Sequence, residues 1–199
     1  TDRFKVRPLI EASIHSAIQM ALREIGRGDL ALPHAETALS IRRRILGENH
    51  PDTIASLHYY ATVVQQLGRN EEAEPLQKNA LERYRRVIGE DDPRTLEAMN
   101  DYAYLLEAMG RSEEAARHFK QALEGYRRVR GEDHMDTILA LSNYTYLLGQ
   151  LGRTAEALPL YVEVIERAER VLGSDHPTTI HALNNYAGLL RSQGRAAEV

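Results

Sequence analysis

The residues in this chain best equipped for chemistry are eight histidines, a large set of carboxylates and amides, and ten tyrosines. His50, His134 and His176 stand in one series with Asp92 at a spacing of 42 residues, each just ahead of a predicted helix. An acceptor at that place caps a helix start, whereas metal ligation needs convergence, which stacked repeats deny. His34 and His118 fall where Leu76 and Leu160 sit, so partly buried packing is expected of them. No nucleophile, base and orienting group can be assembled from the spacing, and no His-Glu-x-x-His pattern occurs. The chain is therefore expected to be no enzyme, with no catalytic residue, no metal site and no cofactor. Gly26-Arg27-Gly28-Asp29-Leu30-Ala31 fits a dinucleotide fingerprint only on paper, because that motif follows a strand and this one joins two predicted helices. The Arg27-Gly28-Asp29 within it is an adhesion tripeptide without weight outside a displayed loop. Asn143-Tyr144-Thr145 spells a glycosylation acceptor inside a predicted helix. What remains is hydrogen-bonding and packing chemistry, carried by Asn, Asp and Tyr in regular columns.

Those columns come from a repeat. Gly47 to Ile88 laid over Gly89 to Arg130 without a gap gives 19 identities in 42 positions. Fixed periods of this length are the mark of solenoids and arrays. Copies are expected near 5–46, 47–88, 89–130, 131–172 and 173–199, the first diverged and the last truncated. In the second copy Leu57, Tyr60, Ala61, Val64 and Leu67 form one apolar stripe at helical spacing. Pro51 opens that helix, as Pro93 and Pro177 open theirs, and Gly68 closes it. The next helix carries acids at its start (Glu71, Glu72) and bases at its end (Arg85, Arg86), as the helix dipole favours. Its apolar positions are Ala73, Leu76, Ala80, Leu81, Tyr84 and Val87, and Pro75, like Pro33 and Pro159, lies near its start and is tolerated there. Neither helix buries its stripe alone, so pairs must stack. The spacing predicts about nine helices, near 9–25, 29–46, 51–67, 71–88, 93–109, 113–130, 135–151, 155–172 and 177–193. The expected fold class is all-α, one repeat domain spanning 5–199.

Composition narrows the function further. Apolar content of 43% and charged content of 27% are those of an ordinary folded chain. A net charge of −4 supplies no basic field for a phosphate backbone, so no nucleic-acid partner is expected. No run of about 18 apolar residues occurs and no signal peptide opens the chain, so no membrane contact and a cytoplasmic location are expected. The first residue is Thr, and Arg195 to Val199 match the opening of the helix that starts at Arg69. The chain therefore reads as a fragment of a longer protein. On that reading the last helix exposes the stripe Leu183, Tyr186 and Leu190, which invites a homo-oligomer.

Gly89-Glu90-Asp91-Asp92-Pro93, Ala182-Leu183-Asn184-Asn185-Tyr186-Ala187 and Gly68-Arg69-Asn70-Glu71-Glu72-Ala73-Glu74-Pro75-Leu76 resemble the 42-residue tetratricopeptide repeat of the kinesin light chain type. The resemblance implies a right-handed α-α superhelix, the first helix of each pair lining a concave groove that docks a protein or peptide partner. A second resemblance, to the repeats that follow the kinase domain in bacterial Ser/Thr protein kinases, rests on Arg7-Pro8-Leu9-Ile10-Glu11-Ala12-Ser13-Ile14 and Arg42-Arg43-Arg44-Ile45-Leu46-Gly47. It implies the interaction arm of a signalling kinase, since no kinase motif lies in the chain.

With the apolar stripe committed to packing, the groove is lined by the opposite side of the first helices. Four columns supply the candidates: Ala17, Tyr59, Asp101, Asn143 and Asn185; Ser16, His58, Asn100, Ser142 and Asn184; Met20, Thr62, Tyr104, Tyr146 and Gly188; and Arg23, Gln65, Glu107, Gly149 and Arg191. The family resemblance implies that an Asn of the first column bonds the backbone of an extended ligand, a place held here by Asn143 and Asn185, while Tyr59 and Asp101 depart from it. Tyr104 and Tyr146 read either as an aromatic shelf or as cover for helix contacts. A terminal-carboxylate clamp is disfavoured, because only Arg23 and Arg191 stand in a suitable column, with Glu107 between them. The rival to groove binding is a structural spacer or self-association arm.

Overall fold

The computed structural model describes the backbone of residues 3–194 and the side chains of residues 7–194. Among these residues the fold is all-α, with nine helices: α1 (Arg3–Glu24), α2 (Gly28–Leu46), α3 (Pro51–Gln66), α4 (Asn70–Ile88), α5 (Pro93–Ala108), α6 (Ser112–Arg130), α7 (Met135–Gln150), α8 (Thr154–Leu172) and α9 (Pro177–Ser192). Every helix expected from the repeat is present, and most ends fall within a residue of the expected place. The exception is the start of α1, six residues ahead of the expected position. Pro8 lies within the added turns, where a proline near a helix start removes only one backbone bond and is accommodated. The segment Arg195 to Val199, read as the opening of a further helix, lies outside the described residues.

The boundaries have local causes. His50, Asp92, His134 and His176 each accept a hydrogen bond from the backbone N–H two residues on, which makes the whole column a set of N-caps. Gly68 closes α3 with φ +77° and Gly89 closes α4 with φ +94°, conformations in which a Cβ is strained. Thr95, Thr137 and Thr179 tie the helix after each inter-repeat turn to the glycine before it, their hydroxyls donating to the carbonyls of Gly89, Gly131 and Gly173 at 2.7–2.8 Å.

The chain forms two compact units, the first ending at Met109 and the second starting at Gly110. In unit 1, α1 to α5 pack each on the next, and α3 also meets α5. The core of its helix pairs contains Leu57, Ala61, Val64, Ala73, Ala80, Leu81 and Tyr84, all nearly free of solvent. Leu67 and Val87, included in the predicted stripes, lie at the ends of their helices and are more than a third exposed. Small residues at Ala61 and Ala73 bring the two helix axes close enough for the larger side chains to interlock. In unit 2, α6 to α9 repeat the arrangement, and α7 also meets α9. Leu141, Leu147, Leu148, Ala157, Tyr161 and Val164 fill its core. Leu190, expected in an exposed stripe on α9, is fully buried, while Leu183 remains 40% exposed. The stripe therefore splits: its C-terminal member faces the inside of the pair.

Charged side chains fasten the second helices of successive repeats in each unit. In unit 1, Glu48 of the turn after α2 receives Arg43 at 3.2 Å and Arg83 of α4 at 2.7 Å, and Asn49 receives Arg86 at 2.9 Å. In unit 2 the corresponding residues are Glu132 with Arg127 at 3.0 Å, and Asp133 with Arg167 at 2.9 Å and with Arg170. Glu163 adds a further partner for both Arg127 and Arg167. Most of these groups are exposed, so each pair contributes little to stability, and the clusters act mainly by fixing the turn between repeats.

Candidate functional site

Each unit carries an open cleft on the polar side of its first helices. The cleft of unit 1 holds about 780 Å³ and is lined by Thr62, Gln65 and Gln66 of α3, Gly68 of the following turn, Asn70 at the start of α4, and Asp101, Tyr104, Glu107 and Ala108 of α5. The cleft of unit 2 holds about 250 Å³ and is lined by Tyr146, Gly149 and Gln150 of α7, Tyr161 of α8, and Asn184, Asn185, Gly188, Leu189 and Ser192 of α9. Six positions correspond after two periods of 42 residues: Thr62 and Tyr146, Gln65 and Gly149, Gln66 and Gln150, Asp101 and Asn185, Tyr104 and Gly188, Ala108 and Ser192. The scaffold thus makes the same cleft twice with different side chains.

In unit 1 the cleft wall is built on a buried pair. His58, named as a groove residue by its column, has a side chain only 3% exposed and does not present itself to a ligand. That is a correction with a clear cause: its ring lies between Tyr59, stacked at 5.3 Å, and Tyr84, edge-on at 6.4 Å. Its Nε2 lies 2.9 Å from Asp101 Oδ2, within hydrogen-bond distance, so α3 holds a cleft residue of α5 in place. The other Asp101 oxygen is left to the cleft. Thr62 spends its hydroxyl on the His58 carbonyl, and Gln65 accepts from buried Gln77 at 2.6 Å, which turns the Gln65 amide N–H outward. Burial, with Glu107 and Asp101 nearby, pushes the Tyr104 phenol up to about 12. Burial also holds the Glu107 carboxyl above the usual carboxylate range. No hydrogen bond or cation among the described residues offsets that penalty for Glu107.

In unit 2 the wall is neutral. Tyr161 rises from α8 so that a Cβ added at Gly149 would meet its hydroxyl at 3.4 Å, and it tilts against Tyr186 at 6.2 Å. Burial raises its phenol to about 12. Asn184 is exposed and Asn185 half-buried, and both face the cleft across from Tyr146, which is 39% exposed. Two amides and a phenol offer donors and acceptors without charge, the set that an extended backbone needs.

The other candidates lie outside both clefts. Tyr59 is half-buried on α3, with the Arg23 guanidinium 5.6 Å from its ring centroid. Burial, followed by the nearby Glu97 carboxylate, raises its phenol. Asn100 and Asn143 are half-buried on α5 and α7, and Arg191 is exposed on α9. Column reading named Glu107, Gln65 and Gly149 but gave no reason to prefer them. The distinguishing residues lie underneath, at Gln77 and Tyr161, which share one column in the second helices. Among the described residues no helix is long and apolar enough to cross a membrane.

The family model for the tetratricopeptide repeat matches residues 11–74, 53–128, 113–168 and 136–198. No curated protein matches the chain by sequence. Among solved structures, the putative kinesin light chain repeats of Podosopora anserina are similar with a TM-score of 0.82 at 21% identity, covering 96% of this chain and 90% of that one. BtubC (BKLC) from P. vanneervenii is similar with a TM-score of 0.70 at 16% identity, covering 97% and 85%. A Rap protein complexed with competence and sporulation factor gives 0.71 at 17% identity, covering 96% of this chain and 55% of that one. At these identities the likeness is one of fold.

Proposed function

From the premise that the chain belongs to the tetratricopeptide repeat family, we propose that it is a non-catalytic module which holds a peptide or protein segment against the polar side of its first helices. The fold is typical of protein interaction modules. The observation that carries the finer reading is the recurrence of one cleft in both units, lined at six equivalent positions of the repeat. A Rap protein of similar fold is seen complexed with competence and sporulation factor, which accords with ligand binding on such a scaffold. Tyr104, Tyr146 and Asn185 of the clefts, with Asn143 outside them, are the proposed contacts, and the cytoplasm is the proposed location. The test is a pull-down from native lysate with mass-spectrometric identification, comparing the chain with a Tyr104→Ala, Asn143→Ala, Tyr146→Ala, Asn185→Ala variant of equal helicity. A partner captured by the first and lost with the second is expected. Capture that survives all four substitutions sinks the groove reading.

A second reading, self-association, is favoured by Ile180 and Leu183 on α9, 43% and 40% exposed one turn apart. It requires a sedimentation mass that rises with concentration and falls back to the monomer with Ile180→Lys.

A further inference from the structure

The cleft of unit 1 is richer in negative charge than its counterpart, and one of its carboxylates is not used by the fold. Asp101 is committed through Oδ2 to His58. Glu107 has no such partner: among the described residues no arginine, lysine or hydrogen-bond donor reaches it, although it lies half-buried in the cleft wall. Arg69, which stands between the cleft residues Gly68 and Asn70, is engaged with Glu72 at 2.7 Å. Glu97 adds a further negative charge on the same helix, felt by Tyr59 together with Asp101. Behind the wall, Gln77 is 1% exposed, and its amide faces Gln65 with its carbonyl oxygen unbonded among the described residues. A fold does not leave a half-buried carboxylate uncompensated without a penalty, and a cation from outside removes that penalty.

Resting on the groove reading above, we propose that the unit 1 cleft receives a lysine or arginine side chain of the bound segment, with Glu107 as its counter-ion and the Tyr104 ring as the wall along which its aliphatic stem lies. The choice of a cation follows from charge complementarity: two carboxylates line the space, no basic side chain does, and about 780 Å³ accommodates a long side chain with room for flanking backbone. Gln65, its amide N–H turned outward, orients a neighbouring carbonyl of the same segment. The unit 2 cleft, with Asn184 and Asn185 in place of charge, has no counter-ion to offer and suits neutral backbone.

The probe is a phage-displayed library of random linear peptides, panned against the intact chain, followed by fluorescence anisotropy of the most enriched peptide. A lysine or arginine common to the enriched peptides is expected. Glu107→Gln is expected to weaken binding about tenfold while leaving helicity and melting temperature no lower than those of the parent. Glu107→Lys is expected to abolish binding of that peptide and to accept one in which the shared basic residue is replaced by glutamate. Enriched peptides without a shared cation overturn the proposal. So does binding that Asn184→Ala with Asn185→Ala abolishes but Glu107→Gln leaves unchanged, and there the groove reading survives. If no peptide is enriched, the groove reading falls and takes this inference with it.

Discussion

The clefts of the two units sit on equivalent positions of one repeat, yet one offers two carboxylates around about 780 Å³ and the other two amides around about 250 Å³. The difference begins in residues that no ligand touches. Beneath the unit 1 cleft lies Gln77, which reaches only as far as Gln65; at the same place beneath unit 2 lies Tyr161, whose hydroxyl rises to Gly149 and narrows the space. A buried histidine clamps Asp101 in unit 1, while Ser142 and Asn185 at the equivalent places make no such bond among the described residues. Second-helix residues therefore set the size of each cleft, and first-helix residues set its charge.

The most severe way to break this comparison is to remove the clamp. His58→Ala takes away a buried ring packed on Tyr59 and Tyr84 and leaves Asp101 without its donor. A loss of about 3 kcal/mol is expected, combining the cavity with the broken hydrogen bond. Ser142→Ala at the equivalent site, a half-buried hydroxyl, is expected to change stability by less than about 0.5 kcal/mol. Urea unfolding of the two variants decides it, and equal effects mean that the clamp does not distinguish the units.

The helix caps permit a gentler exchange between units. Unit 1 caps α5 with Asp92, and unit 2 caps α7 with His134 through a bond of the same geometry, 2.9 Å against 3.1 Å. Asp92→Ala is expected to cost about 1 kcal/mol at neutral pH, and Asp92→His, which imports the unit 2 cap, much less. The Arg94 hydrogen bond is the chief cause that holds the Asp92 carboxyl below its ordinary value, so its stabilisation is complete above the unfolded-state pKa and is lost as pH falls through the lowered folded-state value. The gap between Asp92→Ala and the parent must therefore close in acid. A gap that stays open there assigns the cap's effect to turn shape rather than to the carboxylate.

How much of this was legible in the sequence follows from where each feature lies. The helices, their caps and the glycine stops were legible because each depends on a few neighbouring residues and recurs every 42 positions. Asp101, Tyr104, Tyr146, Asn184 and Asn185 were legible as residues off the apolar stripe, and all five line a cleft. His58 was not: the same column holds Ser16, Asn100, Ser142 and Asn184, all polar and none buried, and only Tyr59 and Tyr84 on either side enclose the imidazole. The isolation of Glu107 was equally hidden, because it depends on which side chains of other helices reach the cleft wall in space. A column shows which way a residue points, whereas its burial is decided by neighbours from other repeats.

The smallest effects sharpen the comparison most, since they probe the narrow cleft without dismantling it. Unit 2 has glycine at 149 and 188, inside α7 and α9, where unit 1 has Gln65 and Tyr104. Glycine within a helix is less favourable than alanine by roughly 0.5–1 kcal/mol, so some other requirement keeps it there or nothing does. At Gly188 an added Cβ meets nothing within 4 Å, and Gly188→Ala is expected to gain that full amount. At Gly149 the Cβ arrives 3.4 Å from the Tyr161 hydroxyl and 3.8 Å from its ring, so Gly149→Ala is expected to gain less. Thermal unfolding of both variants in a Tyr161→Phe background isolates the cause: without the hydroxyl the two gains should become equal. If they are already equal in the parent, Tyr161 yields freely, and the narrowness of the unit 2 cleft has to come from Asn184 and Leu189 across the space instead.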